Sequence, residues 1–295
     1  MTRTPARRRP AVRRRLPLLG AAACAALALT SLPAVDAATA PPAALAPVAT
    51  ARTLAWSDEF NGSNAWAPPD SAKWLSDVGG HGWGNQQLEY DTRDAANAHL
   101  SGNGILAIRA IRGANAYTCW YGRCTYTSAR LTTRNRFTAR YGTLEARMQI
   151  PCGTGLWPAF WALGSNIGTV GWPASGEIDV MENIGSEPTT VHGTIHGPGY
   201  SGGAGISGSR TVSTPLCQAY HVYSSTWSPA AITFALDGIT YATVTKAQVG
   251  ANPWVFDHSF YLIVNLAVGG NWPGPPTSST AFSALLKVDY VRVYS

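Results

Sequence analysis

Between Thr53 and Ser295 the chain alternates apolar and polar positions in many short runs, and Gly, Pro, Asn and Asp separate one run from the next. Ile105-Leu106-Ala107-Ile108-Arg109, Thr143-Leu144-Glu145-Ala146-Arg147-Met148 and Ile232-Thr233-Phe234-Ala235-Leu236 each have a period of about two, which predicts strands with one face buried. The pair Asp237-Gly238 between Ile232–Leu236 and Ile239–Val244 predicts a tight hairpin, because both turn positions in that geometry take positive φ. No stretch carries the 3.6-residue apolar stripe of a long amphipathic helix. With roughly 240 residues and no internal repeat, the pattern predicts one all-β domain over 53–295. A β-jelly-roll sandwich is the first choice.

Ahead of this pattern the chain changes character. Arginines crowd residues 1–15, an Ala/Leu-rich apolar run follows to Leu32, and small residues surround Ala37, which reads as an export signal over 1–37. The apolar run is too short and too rich in Ala for a spanning helix. A lipoprotein signal at Cys24 is disfavoured, since no leucine stands three positions before it, and a twin-arginine route stays open. Residues 38–52, mostly Ala, Pro, Thr and Val, read as a flexible lead-in. A secreted, extracellular protein without a membrane anchor is expected.

This division changes the charge picture. Residues 1–37 hold seven of the 22 Lys and Arg and one of the 16 Asp and Glu, which leaves 15 of each sign. The remainder is neutral, which argues against nucleic acid as a partner and for an uncharged ligand. It keeps four cysteines, Cys119, Cys124, Cys152 and Cys217, an even number suited to disulfides in an oxidising compartment. Of three formal pairings, Cys119–Cys124 and Cys152–Cys217 are preferred. Zinc is the rival reading, but the paired short knuckles of such sites are missing.

Eleven Trp and twelve Tyr exceed what the core of such a domain needs, so part of this aromatic surface is expected to stack on the apolar faces of sugar rings. The chemistry concentrates in Glu177-Ile178-Asp179-Val180-Met181-Glu182, three carboxylates inside an apolar strand. A regular strand would turn Glu182 away from Glu177 and Asp179. A β-bulge at or near Met181 restores all three to one face and leaves Ile178 and Val180 to the core. Retaining glycoside hydrolysis needs one ionised and one protonated carboxyl flanking the bond, and close-packed acids spread their titrations in that way. An acidic strand edge or a calcium site formed by the three acids are the competing readings.

The motif Glu177-Ile178-Asp179-Val180-Met181-Glu182 resembles the bulged signature of glycoside hydrolase family 16, in its bacterial endo-β-1,3-glucanase (laminarinase) form. Gly82-Trp83-Gly84-Asn85-Gln86-Gln87-Leu88-Glu89-Tyr90, Gly155-Leu156-Trp157-Pro158-Ala159-Phe160-Trp161, Val264–Pro273 and Val288–Tyr294 extend the resemblance over about 53–295. It implies a curved, concanavalin-like jelly roll with an open cleft on its concave face. It also implies a retaining endo-β-1,3-glucanase acting on laminarin-type or mixed-linkage β-glucan.

By the same resemblance Glu177 is the nucleophile, Glu182 the acid/base and Asp179 their assistant. Trp157, Trp161, Trp172, His196, Asn85 and Trp83 are implied as substrate-binding positions. No cofactor is implied for catalysis; a structural calcium near Glu59, Gly104 and Asp289 is, and a monomer is expected. The alternatives are a non-catalytic β-glucan recognition protein on the same fold, which typically lacks one or both glutamates, and a structural wall protein, which needs no aromatic cleft.

Overall fold

The computed structural model describes residues 52–113, 116–283 and 285–295. The expected export signal over 1–37, Cys24 and all of the lead-in except Arg52 lie outside the described residues. Two antiparallel sheets make the sandwich. One runs, in spatial order, through strands 239–245, 231–236, 221–227, 142–149, 285–294, 106–109 and 98–100, with 54–58 also pairing with 285–294. The other runs through 206–211, 190–196, 177–182, 156–164, 260–268, 130–132 and 75–77. In each sheet a run of consecutive strands, 221–245 in one and 156–211 in the other, lies beside strands drawn from distant parts of the chain, as the expected jelly roll requires.

Alternation explains why these segments pack. In strand Phe260–Val268, Leu262, Val264, Leu266 and Val268 enter the core between the sheets, while Tyr261, Ile263, Asn265 and Ala267 face the other way. All nine residues are nonetheless buried. Strand Leu156–Gly164 divides likewise: Phe160 and Ala162 are core, and Trp157, Ala159, Trp161 and Leu163 line a cleft. The facing sheet supplies Leu144, Ala146, Met148, Tyr223, Trp227, Phe234, Val288 and Val291.

The predicted hairpin forms at Asp237 (φ 51°) and Gly238 (φ 75°), and the Asp237 carboxylate accepts from the Val222 amide at 2.8 Å. The α-helix of the described residues is the single turn Ile167–Val170. Among the described residues no helix is long and apolar enough to cross a membrane. Cys119 is bonded to Cys124 and Cys152 to Cys217, which is the preferred pairing.

Candidate active site

The site is built on a fault in one strand. Across strand 156–164, Glu177 faces Leu163, Ile178 faces Ala162, Asp179 faces Trp161, Met181 faces Phe160 and Glu182 faces Ala159, so Val180 has no partner. Across strand 190–196, Glu177 faces His196, Asp179 faces Thr194 and Glu182 faces His192. One extra residue is therefore inserted between Asp179 and Glu182 on both sides. Ile178, Val180 and Met181 are all fully buried in the core, while Glu177, Asp179 and Glu182 line the cleft. The two consecutive buried residues are the bulge, and they turn the third acid back to the face of the other two.

Each glutamate is held by a tryptophan. Trp172 Nε1 donates to Glu177 Oε2 at 3.1 Å and Trp157 Nε1 donates to Glu182 Oε1 at 3.0 Å. His196 Nε2 lies 3.1 Å from Asp179 Oδ2 and 3.9 Å from Glu177 Oε1. The ring nitrogen is not aimed at the aspartate, and that oxygen is left without a hydrogen bond. Glu177, Asp179 and His196 are, among the described residues, the set whose potential ligand atoms converge within 4.8 Å. Two carboxylates and one imidazole could hold a cation, but the indole donated to Glu177 already occupies part of its oxygen capacity.

Burial dominates the electrostatics. Together with the neighbouring Asp179 charge it raises the Glu177 carboxyl to about 8, against the opposing pull of His196, Arg130 and the Trp172 donor. Burial likewise raises Asp179 to about 8, with partial relief from hydrogen bonding to Glu177. Glu182 is pushed well above the usual carboxylate range by burial and then by repulsion from Asp179 and Glu177. Three acids held this close cannot all ionise at neutral pH, so the cluster keeps protons.

Trp83, Asn85, Trp157, Trp161, Trp172 and the three acids line one cleft. The rim loop carrying Trp83 and Asn85 is tied to the turn after strand 260–268: Asn271 N donates to Asn85 O at 2.8 Å, and a Cβ on Gly270 (φ 118°) would come within 3.0 Å of that same oxygen. A basic side chain from a distant strand also reaches the acids. Arg130, from strand 130–132, places its guanidinium 4.5 Å from the ring centres of both Trp83 and Trp161 and binds Asp77 at 3.3 Å. Asn265 accepts from Trp161 Nε1 at 2.8 Å.

Trp272, 41 % exposed, meets Trp157 and His192 edge-on at 5.6 and 5.0 Å. Arg130, Asn265, Gln87, His192 and Trp272 thus join the site although sequence reasoning did not single them out. For His192 the signal was present, since it lies four residues from His196 on the same strand face. The expected metal residues lie elsewhere. The Glu59 carboxylate takes two bonds from Arg292 at 2.9 and 2.8 Å, and Asp289 binds Arg147 at 2.5 Å. A Cβ on Gly104 would lie 4.0 Å from the Glu59 carbonyl oxygen.

The model of glycosyl hydrolases family 16 matches residues 83–292. A β-glucanase of Rhodothermus marinus is 42% identical over 250 residues, 82% of this chain and 84% of that protein. Among solved structures, the endo-β-1,3-glucanase of Pyrococcus furiosus is 45% identical with a TM-score of 0.75, covering 83% of this chain and 94% of that one. The laminarinase catalytic domain of Thermotoga maritima is 41% identical with a TM-score of 0.77, covering 83% and 98%.

Proposed function

The chain belongs to glycosyl hydrolases family 16, and from that premise we propose that it is a retaining endo-β-1,3-glucanase cutting internal bonds of laminarin-type or mixed-linkage β-glucan. The observation that carries the residue roles is the bulge, which sets Glu177 and Glu182 on one cleft face, each under its own indole donor. Both glutamates have an indole donor and His196 to favour their ionised forms, and Glu177 has Arg130 as well, so of the two it takes the negative charge. Glu182, repelled by both other acids, keeps its proton.

In the first step Glu177 attacks the anomeric carbon while Glu182 gives its proton to the departing glycosidic oxygen. In the second, Glu182 as carboxylate takes a proton from water, which displaces Glu177 and restores the starting configuration. Asp179 holds the charge balance between them. No cofactor is needed for this chemistry. Trp157, Trp161 and Trp172 offer ring faces to the sugars, and Asn85, Gln87 and Asn265 offer polar groups to their hydroxyls.

A structural calcium would draw on carbonyl oxygens near Glu59 and Gly104, whose proximity supports it. The Asp289 carboxylate is already engaged by Arg147, so the donor set fits only in part and calcium enters no step here. The two disulfides support work outside the cell, and we expect a monomer.

The deciding experiment is reducing-sugar release from laminarin, barley mixed-linkage glucan, agarose and xyloglucan by the purified protein. Fast release from laminarin, with slower or no release from agarose and xyloglucan, is expected. Laminarin bound but not cut would instead mean a recognition protein.

A further inference from the structure

The Cys119–Cys124 disulfide closes a small hairpin, Thr118–Cys119 against Gly122–Arg123, that belongs to neither large sheet. Its tip leans on the cleft rim. Trp120 Nε1 donates to the Gln87 carbonyl at 2.8 Å, the Trp120 amide donates to the Gly80 carbonyl at 2.8 Å, and Tyr121 Oη donates to the Leu88 carbonyl at 2.6 Å. Backbone and hairpin meet so closely that a Cβ on Gly80 would lie 2.6 Å from Cys119 Sγ, and one on Gly82 2.9 Å from Trp120 Cδ1. The hairpin is therefore fixed to the segment whose Trp83, Asn85 and Gln87 line the cleft.

Trp120 is nevertheless 49 % exposed. Its one polar group is satisfied and its orientation is set by the hydrogen bond, the disulfide and the edge-on contact with Tyr121 at 5.4 Å. A large indole face kept in water and locked in place beside a cleft lined by other indoles is suited to a ligand that continues past that cleft. We propose that Trp120 is an outer stacking platform for the glucan chain, so that the disulfide-closed hairpin lengthens the binding surface by at least one sugar residue. This rests on the reading of the protein as a β-glucanase. Trp66 provides the internal contrast. It is 54 % exposed, but it sits at the edge of the other sheet, stacked on His99 at 4.0 Å with its amide bonded to Leu100 O.

The test compares KM and kcat for laminarin and for a β-1,3-linked tetrasaccharide in Trp120→Ala, Trp120→Phe and Trp66→Ala. Removing the ring at Trp120 is expected to raise KM for the polymer about tenfold, with a clearly smaller change for the tetrasaccharide. Trp66→Ala is expected to move neither. The Phe variant keeps the stacking face and loses the N–H, so it should retain most of the polymer affinity. Equal weakening on both substrates, equal loss in the Phe and Ala variants, or no change on the polymer would overturn the proposal and leave Trp120 a brace for the rim. A wild-type protein inactive on laminarin would instead defeat the β-1,3-glucanase reading, and the same comparison on whichever β-glucan it cuts would decide the platform. If it neither bound nor cut any β-glucan, both would fall.

Discussion

Two strands of this molecule carry the same pattern, Glu-x-Asp: Glu177-Ile178-Asp179 in the cleft and Glu89-Tyr90-Asp91 behind its rim. Burial raises the acids of both. Glu89 is fully buried and pushed up to about 7, and Asp91 is raised well above its usual range by burial and by the charge of Glu89. Arg130 favours ionisation of Glu89, Asp91 and Glu177 alike, and so lies electrically between the two clusters.

The difference is access and register. Glu89 accepts from the Val268 amide at 2.8 Å, and its other oxygen and Asp91 Oδ1 have no partner. Its strand runs parallel to Tyr126–Ser128, with no bulge to bring up another acid. The cleft strand opens to substrate, carries a bulge and aims an indole N–H at each glutamate. A raised carboxyl is thus a consequence of burial anywhere in the fold. It becomes catalytic only where a second carboxyl is held across the space a glycosidic bond would occupy.

The sharpest way to break this comparison is to neutralise an acid in each cluster. Glu177→Gln or Glu182→Gln is expected to lower kcat on laminarin by about a thousandfold or more. Each should leave the melting temperature at pH 7 unchanged or raised, because a carboxyl whose folded-state pKa is elevated costs stability once the unfolded form ionises. Thermal denaturation beside a turnover assay checks both halves.

Asp179→Asn removes one negative neighbour and should cost roughly ten- to a hundredfold in kcat. It should also move both limbs of the pH–rate profile downward, since the repulsion that raises Glu177 and Glu182 is lessened. A lower kcat with an unmoved profile would mean that Asp179 acts by packing alone.

Glu89→Gln should change kcat by no more than about threefold. Its effect belongs to stability. The native state holds a proton on Glu89 that the unfolded chain gives up near pH 4.5, so wild-type stability should fall as pH rises from about 4.5 to about 7. The variant should flatten this fall, by up to about 3 kcal/mol. Denaturant titrations at pH 5 and pH 8 measure it. A large loss of turnover in this variant would erase the distinction between the clusters.

How much of this was legible along the chain depended on whether the signal was local. The bulge could be read because three acids and three apolar residues within one short strand admit a single consistent facing only with an extra residue. The hairpin at Asp237-Gly238 was legible for the same reason. Arg130, Asn265 and Trp272 were not, because they come from separate strands and turns that meet the acids only after the sheet is assembled. His192 carried a usable pattern, i and i+4 with His196 across the two glutamates, yet nothing local told a site histidine from a core one. Nothing in the sequence around Glu89 and Asp91 marks them as buried acids. Their burial follows from parallel pairing with a distant segment and from the amide of Val268, neither of which leaves a local trace.

The most direct test of the role assignment is rescue by azide, with the anomeric configuration of the glycosyl azide read by NMR. With Glu177→Ala, azide takes the place of the missing nucleophile and should give the α-glycosyl azide. With Glu182→Ala and an activated aryl glycoside, Glu177 still forms the glycosyl-enzyme, and azide should then give the β-glycosyl azide. The opposite assignment of products, or no acceleration by azide in either variant, would contradict the account.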